Sequence, residues 1–388
     1  YTEWVYSLNS IYQEIGIVKD GLSLFFLSDL SNKRHELFDT YETISNLLLI
    51  RRKLEGVKID SIELIGTDKA FEQSIKSLFE GVTISSVVAK PLRVTLTRRV
   101  LADIKYLFAI WIVIFINCFQ REKKTEEVVK SGKYFFSYFP QTFDHQFKDL
   151  RYGDYIDEAD SHLVTVVADG MHQRVSPWEY ARILKRIPKQ RFELVDKYIQ
   201  FSDVVTSLYW LFRCYGLLIR NRGNKFSFQG IDISSYINQE MVWSSSRIAR
   251  LILISGAFRR VIEAIPIKEL VYIMFEFSFG RMISFVLSRY NNRIMRTGFN
   301  HGDYSWRYLN YFLAKNEGSV TPPYINHCPI PDRLLVEDQL CADIYKFNGY
   351  QNIELMSEVF RLKYLKDIEP TLQEDLALIA AGLHDGEP

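Results

Sequence analysis

The feature that most narrows the fold is an alternation: compact apolar runs, each followed by a stretch whose apolar residues recur at helical spacing. In the first third LSLFFLSDL (22–30), SIELIG (61–66) and VTISSVV (82–88) are such runs, with helical patterns over Glu36–Leu54 and Lys69–Phe79 between them. Strands separated by helices of this length predict right-handed crossovers and a parallel sheet covered on both faces, an α/β, Rossmann-like design. YFFSYFP (134–140) and HLVTVVADG (162–170) read as two further strands, and Phe192–Ile219 reads as helix. The alternation resumes with VYIMFEF (271–277), IMRTGFN (294–300), RLLVE (333–337) and NIELMSEV (352–359). At 388 residues the chain has room for two domains. The expected division is residues 1–233, residues 234–365, and a terminal helix within 366–388 that packs back on the first domain.

Apolar content of 47% and charged content of 24% are those of a globular protein. A net charge of +1 leaves no excess of basic residues for a phosphate backbone, which argues against a dedicated nucleic-acid binder. Cys118, Cys214, Cys328 and Cys341 show neither a CxxC nor a Cys/His ligand spacing, so no disulfide framework or zinc site is expected. A reducing cytosol fits that usage, and YTEWVYSLNS carries no secretion signal. The most apolar stretch is Thr95–Phe119. Its run Tyr106–Phe119 has 14 residues, fewer than the roughly 20 needed to cross a bilayer. Two readings stand, a buried crossover helix, which is preferred, and an interfacial membrane helix.

KFSFQGIDISSYINQEM (225–241) is a short alternating run between two long helical patterns. Gly230 permits a turn and Ser234 or Ser235 caps the helix that follows, leaving Asp232 at a strand end ahead of a helix N-terminus. There the helix dipole favours a charged carboxylate, which fits either a nucleophile or a capping Asp. Loops at the carboxyl ends of parallel strands bind ligands, which brings in Asp144, His145, Asp154, Asp157 and Glu158. Glu158 facing Asp232 would give the carboxylate pair of retaining sugar chemistry; otherwise it is a solvated loop acid. Glu276, at a strand's carboxyl end, suits ribose hydroxyls, and the turn Asn300-His301-Gly302 leading into a helix suits a phosphate. Their alternatives are a buried ion-pair partner for Glu276 and a core histidine for His301.

Glu276 and Gly280, GFNHG with WRYLNYF (306–312), PIPDRLLVE (329–337), FNGY (347–350) and EVFRLKYL (358–365) follow one another in order. Together with KFSFQGIDI and FFSYFP…YGDY, this set resembles bacterial surface-carbohydrate biosynthesis proteins. It is most similar to the retaining β-Kdo transferases of WbbB type that cap O-antigen polysaccharides. The likeness runs from about residue 130 to 365. Where related enzymes have a contiguous His-Pro, this chain has His327-Cys328-Pro329.

The resemblance implies a GT-B fold, two Rossmann-like domains with an interdomain cleft, the first facing the acceptor and the second holding the nucleotide sugar. It implies Asp232 as nucleophile and Glu158 as second essential carboxylate, transferring β-Kdo from CMP-β-Kdo with retention through an Asp-linked intermediate. Glu276, Gly280, Arg281, Asn300, His301, Gly302, His327 and Lys363 are the expected donor-binding residues. CMP-Kdo is then a substrate and no cofactor or metal is expected. The acceptor is a glycan on a lipid carrier. The expected location is cytoplasmic, with peripheral membrane or transferase-complex association at the inner face of the bacterial inner membrane.

Overall fold

The computed structural model describes residues 1–33, 40–87, 96–119, 132–156, 162–167, 175–188, 191–274, 278–300, 309–360 and 362–363. Seven strands form one sheet: β1 (Gly132–Tyr138), β2 (His162–Val166), β3 (Phe192–Leu194), β4 (Ile267–Ile273), β5 (Met295–Phe299), β6 (Arg333–Val336) and β7 (Ile353–Leu355). All neighbours are parallel, in the order β7-β6-β5-β4-β1-β2-β3. Strand order therefore reverses between β1 and β4, the doubly wound arrangement in which carboxyl-end loops diverge around a crevice. The α/β, Rossmann-like expectation holds.

The sheet is buried on both faces because β1 and β4 are apolar at consecutive positions. Phe136 meets Phe258 edge-on at 5.8 Å on one face, and Phe135 packs on Tyr152 at 5.3 Å on the other. A polar ladder crosses the strands nearer their amino ends. Glu269 accepts from Thr297 at 2.7 Å and pairs with Arg333 at 2.7 Å, and Arg333 reaches Glu354 at 3.0 Å.

The helices are α1 (Leu96–Phe119), α2 (Pro177–Arg186), α3 (Phe201–Arg220), α4 (Ser234–Ala264), α5 (Phe279–Tyr290) and α6 (Gln339–Phe347). Ser176 caps α2, with Pro177 at its first turn, and Asp338 caps α6 through the Cys341 N–H at 2.7 Å. The chain leaves β3 into α3, turns through an antiparallel hairpin at 227–232, and returns along α4 to β4. At 31 residues α4 is about 46 Å long, well beyond the strands it crosses. Its carboxyl half covers the sheet. Its amino half is buried against the N-terminal segments, through Arg247 to Asp29 at 3.1 Å and through Thr40, which donates to Glu240.

Three sequence expectations are corrected. The stretch 22–30 is not a strand: only Leu22–Ser23 is extended, and Leu24–Leu27 is a 3₁₀ turn buried on every side. A continuous apolar run has no period to separate a strand from a buried turn. Phe192–Leu194, read as helix, is the three-residue edge strand β3, too short to show a period. The division at residue 233 cuts through one sheet, since β1 and β4 are hydrogen-bonded neighbours. The long excursion through α3 and α4 reads in sequence as an interdomain connection but is a crossover within that sheet. The strands Ser61–Leu64 and Thr83–Ser86 pair in parallel with each other, with the helix Lys69–Leu78 between them.

The expected burial of α1 is met on one side only. Asp103, Tyr106, Leu107, Ile110 and Val113 are buried, while Phe108, Trp111, Phe115 and Phe119 are exposed. By length and composition α1 could cross a membrane, yet this inward face is packed into the protein.

Helix α3 rests on α4 at Gly256, where an added Cβ would fall inside contact distance of Asp203 Oδ1, the carboxylate that pairs with Arg260. Gly256→Ala is therefore expected to push Asp203 off Arg260 and cost about 1–3 kcal/mol. Chemical denaturation of the two proteins measures the difference.

Candidate functional site

The crevice at the strand reversal is closed at its floor by Tyr138, at the end of β1, and Phe279, the first residue of α5, packed edge-on at 5.3 Å. Above them lies a buried polar cluster formed by the N-terminal segment and the first turn of α5. Ser278, ahead of α5, has φ of 65°, a left-handed conformation unusual for a side-chain-bearing residue. Its hydroxyl accepts from Asn32 Nδ2 at 2.6 Å. Arg281, 2% exposed, donates to Ser31 Oγ at 2.7 Å and, at longer range, to the carbonyls of Ser31 and Phe26. Lys33 stands 3.6 Å from Glu317, which accepts the Ala314 N–H at 2.7 Å. Cys328 lies beside them, its thiol pushed up to about 12 by burial.

Two features set this cluster apart from a self-contained ion-pair network. Arg281 is fully buried, and among the described residues no carboxylate is within ion-pair distance of it; it bonds only a hydroxyl and carbonyls. Buried charges are ordinarily paired. Second, among the described residues Arg281 Nε has no hydrogen-bonding partner and is a donor that an anion would satisfy, while Asn32 Oδ1 and Glu317 Oε1 are unpartnered acceptors that would need a donor, each at a cost of about 1–3 kcal/mol. Burial lowers the Lys33 ammonium despite the opposing pull of Glu317. An anion entering here would favour the Lys33 ammonium against its burial and give Arg281 its counter-ion. The chemistry on offer is recognition of a phosphate or carboxylate by a guanidinium fork at the amino end of a helix.

The sequence-predicted residues divide. Gly280 and Arg281 lie in the first turn of α5, and Asn300, buried at the end of β5, bonds Leu335 O through its N–H at 2.9 Å. These three are at the carboxyl edge of the sheet, as expected of ligand-binding residues. His327 donates from Nδ1 to Asn316 O, 2.9 Å away, next to Cys328 of the cluster. Lys363 is instead in a surface network with Asp154 at 3.8 Å and Glu358 at 3.5 Å. Asp154 also pairs with Lys148, and that bond leads the causes that lower its carboxyl. Asp144 accepts the N–H groups of Gln146 and Lys148, a turn-forming role, and His145 is exposed. Asp157, Glu158, Glu276, His301 and Gly302 lie outside the described residues.

Asp232 is where the sequence puts it, at a strand end before a helix. Gln229 and Gly230 turn the hairpin at positive φ of 49° and 81°, and Asp232 Oδ1 accepts the N–H of Ser234 at 2.9 Å and its hydroxyl at 2.5 Å. Ser74 and Ser77 hold its backbone. These are the contacts of a helix-capping carboxylate. Arg247, which pairs with Asp29 just ahead of the cluster residues Ser31–Lys33, lies thirteen positions along α4 from its first residue, Ser234, about 20 Å along the axis. The structure does not bring Asp232 and Arg281 together.

Asn32, Lys33, Ser278 and Glu317 were not picked out by sequence, and neither was Glu240. Only the run of small polar residues after LFFL, Ser28-Asp29-Leu30-Ser31-Asn32-Lys33, hinted at buried polarity. A separate cavity of about 550 Å³ lies between α3, α4, α5 and the turn at Lys19 and Asp20. Its charges are matched internally, Arg260 by Asp203, Arg259 by Glu263 and Lys19 by Asp20, which leaves none over for an ionic ligand. Among the described residues no group of three or more His, Cys, Asp or Glu is placed to hold a metal ion. No protein-family model, curated protein or solved structure matches the chain significantly.

Glu240 is fully buried, and burial raises its carboxyl from 4.5 to about 8 against the opposing hydrogen bond from Thr40. Between those values the folded state holds a proton that the unfolded chain has lost. Its contribution to stability is thus complete at acid pH, declines as pH rises, and is gone above about 8. Glu240→Gln is expected to flatten that decline, so that its melting temperature overtakes the parent's as pH climbs from acid to mildly alkaline. Melting curves across that range check it.

Proposed function

We propose that this protein is a nucleotide-sugar glycosyltransferase whose donor docks at the strand reversal, with the donor phosphate on Arg281 and the amino end of α5. The observation that carries the reading is the buried arginine with no carboxylate partner among the described residues, at the carboxyl edge of a doubly wound sheet. In the finer form suggested by the sequence resemblance, the donor is CMP-β-Kdo and the acceptor a surface glycan on a lipid carrier, met at the cytoplasmic face of the membrane. A GT-B arrangement then takes the parallel unit Ser61–Leu64, Lys69–Leu78 and Thr83–Ser86 as the core of the acceptor-side half.

Net retention at the anomeric carbon needs a carboxylate that attacks as CMP leaves, forming a sugar ester that the acceptor hydroxyl then displaces. The resemblance implies Asp232 in that role, yet α4 holds it about 20 Å along its axis from the level of the Arg281 cluster, so a sugar whose phosphate lies on Arg281 is out of its reach in this arrangement and the attacking carboxylate is left unassigned. Arg281 and Lys33 neutralise the departing phosphate, which leaves the reaction independent of added metal.

A second reading is favoured by one observation, the engagement of Asp232 Oδ1 by Ser234: a domain of the same fold that binds a nucleotide or glycan without turnover.

Calorimetric titration with CMP, UMP and GMP separates the possibilities. CMP is expected to bind, and Arg281→Lys, which keeps the charge and loses the fork, to weaken it by about tenfold or more. Full transfer by Asp232→Asn with CMP binding retained is the result this separation predicts; loss of transfer with CMP still bound would bring Asp232 to the donor and contradict the placement at Arg281. Absence of binding by any nucleotide would overturn the reading.

A further inference from the structure

On its outward side α1 presents Leu101, Ile104, Phe108, Trp111, Phe115 and Phe119, spaced three or four apart, so they fall on one face over about 27 Å. Phe108, Phe115 and Phe119 are 58, 63 and 75% exposed. Helix α3 lies alongside and continues the face with Phe201, Val205, Tyr209 and Phe212, all exposed by half or more. The two helices are joined at one end by Trp111 and Phe201, 6.0 Å between ring centres, and at the other by Tyr215, which donates to Asp103 at 2.9 Å.

The charges on this surface are of one sign. Each of the two helices has a single carboxylate, and both are buried: Asp103 accepts from Tyr215 and Ser246, and Asp203 pairs with Arg260. The exposed ionised side chains of α1 and α3 are Arg98, Lys105, Arg213 and Arg220, all cationic. We infer that this face is a docking surface for an anionic lipid bilayer. The helices lie in the plane of the interface, with the aromatic rings entering the acyl boundary and the basic residues at the headgroups. Helix α1 does not span, because its inward side is fixed in the protein by Asp103, Tyr106 and the Asn117 bonds to Asp196 and Tyr180. An apolar patch of this extent, on which the described residues of α1 and α3 expose no carboxylate, fits a negative membrane surface. The inference is independent of the sugar-transfer reading.

Sedimentation of the full chain with phosphatidylcholine vesicles, with and without about one-third phosphatidylglycerol, tests it. The protein is expected to sediment with the anionic vesicles about tenfold more strongly than with the neutral ones, and less so as salt is raised. Phe108→Glu with Phe115→Glu should abolish sedimentation without changing the melting temperature, since both side chains are exposed. Lys105→Glu with Arg220→Glu should remove the preference for the anionic lipid while leaving residual binding. Failure to sediment with anionic vesicles, or sedimentation unaffected by the phenylalanine pair, overturns the proposal. So does a dimer that these phenylalanine substitutions disperse, because a second copy would then be the occupant.

Discussion

A helix buried nearly all round has to be covered nearly all round, and α4 is such a helix: buried residues, apolar and small polar, recur around it from Tyr236 to Ile262. Its carboxyl half is satisfied by the sheet, where Phe258 meets Phe136. Its amino half runs past the end of the strands, and the sheet has nothing left with which to cover it. The first seventy-odd residues supply the cover on one side and α1 and α3 on the other, where Asp103 and Tyr215 bond Ser246, and the position of Leu24–Lys33 over the strand reversal follows from that requirement. The excursion through α3 and α4 is thus what couples the N-terminal segments to the Rossmann-like sheet.

That coupling places polar groups where they cannot reach water. Ser31 and Phe26 offer a hydroxyl and a carbonyl to Arg281, Asn32 bonds Ser278, and Lys33 meets Glu317. An interface serving packing alone would be more stable with apolar residues of the same volume at these positions. The orphaned Arg281 Nε, Asn32 Oδ1 and Glu317 Oε1 add a further cost that packing does not explain. A ligand with negative oxygens would satisfy the arginine and stabilise the same cluster. The site and the joint between the N-terminal segments and the sheet are one structure.

Much of the sheet was legible because its strands are short, mostly apolar and punctuated by strong helix starts such as Ser176-Pro177 and Asp338. The hairpin before α4 could be read from Phe226, Phe228 and Gly230. What sequence could not supply was non-local. Leu24–Leu27 looks like a strand until α4 and α5 are seen around it, and β3 is too short to announce itself. The β1–β4 pairing joins residues more than a hundred positions apart, so one sheet was divided into two domains. At the site, Arg281 and Asn300 could be named from their places at strand ends, whereas Asn32, Lys33 and Glu317 are polar residues with no pattern of their own. Asp232 was correctly placed in its local structure, and that local structure gives its carboxylate a capping bond.

The central claim is that the reversal point holds an anion on Arg281. A crystal structure of the protein saturated with CMP tests it most directly. The account predicts a phosphate oxygen within hydrogen-bonding distance of Arg281 Nε, with Lys33 or Asn32 turned toward the nucleotide. A nucleotide bound in the cavity beside Arg259 and Arg260, with the Arg281 cluster unchanged, would contradict it.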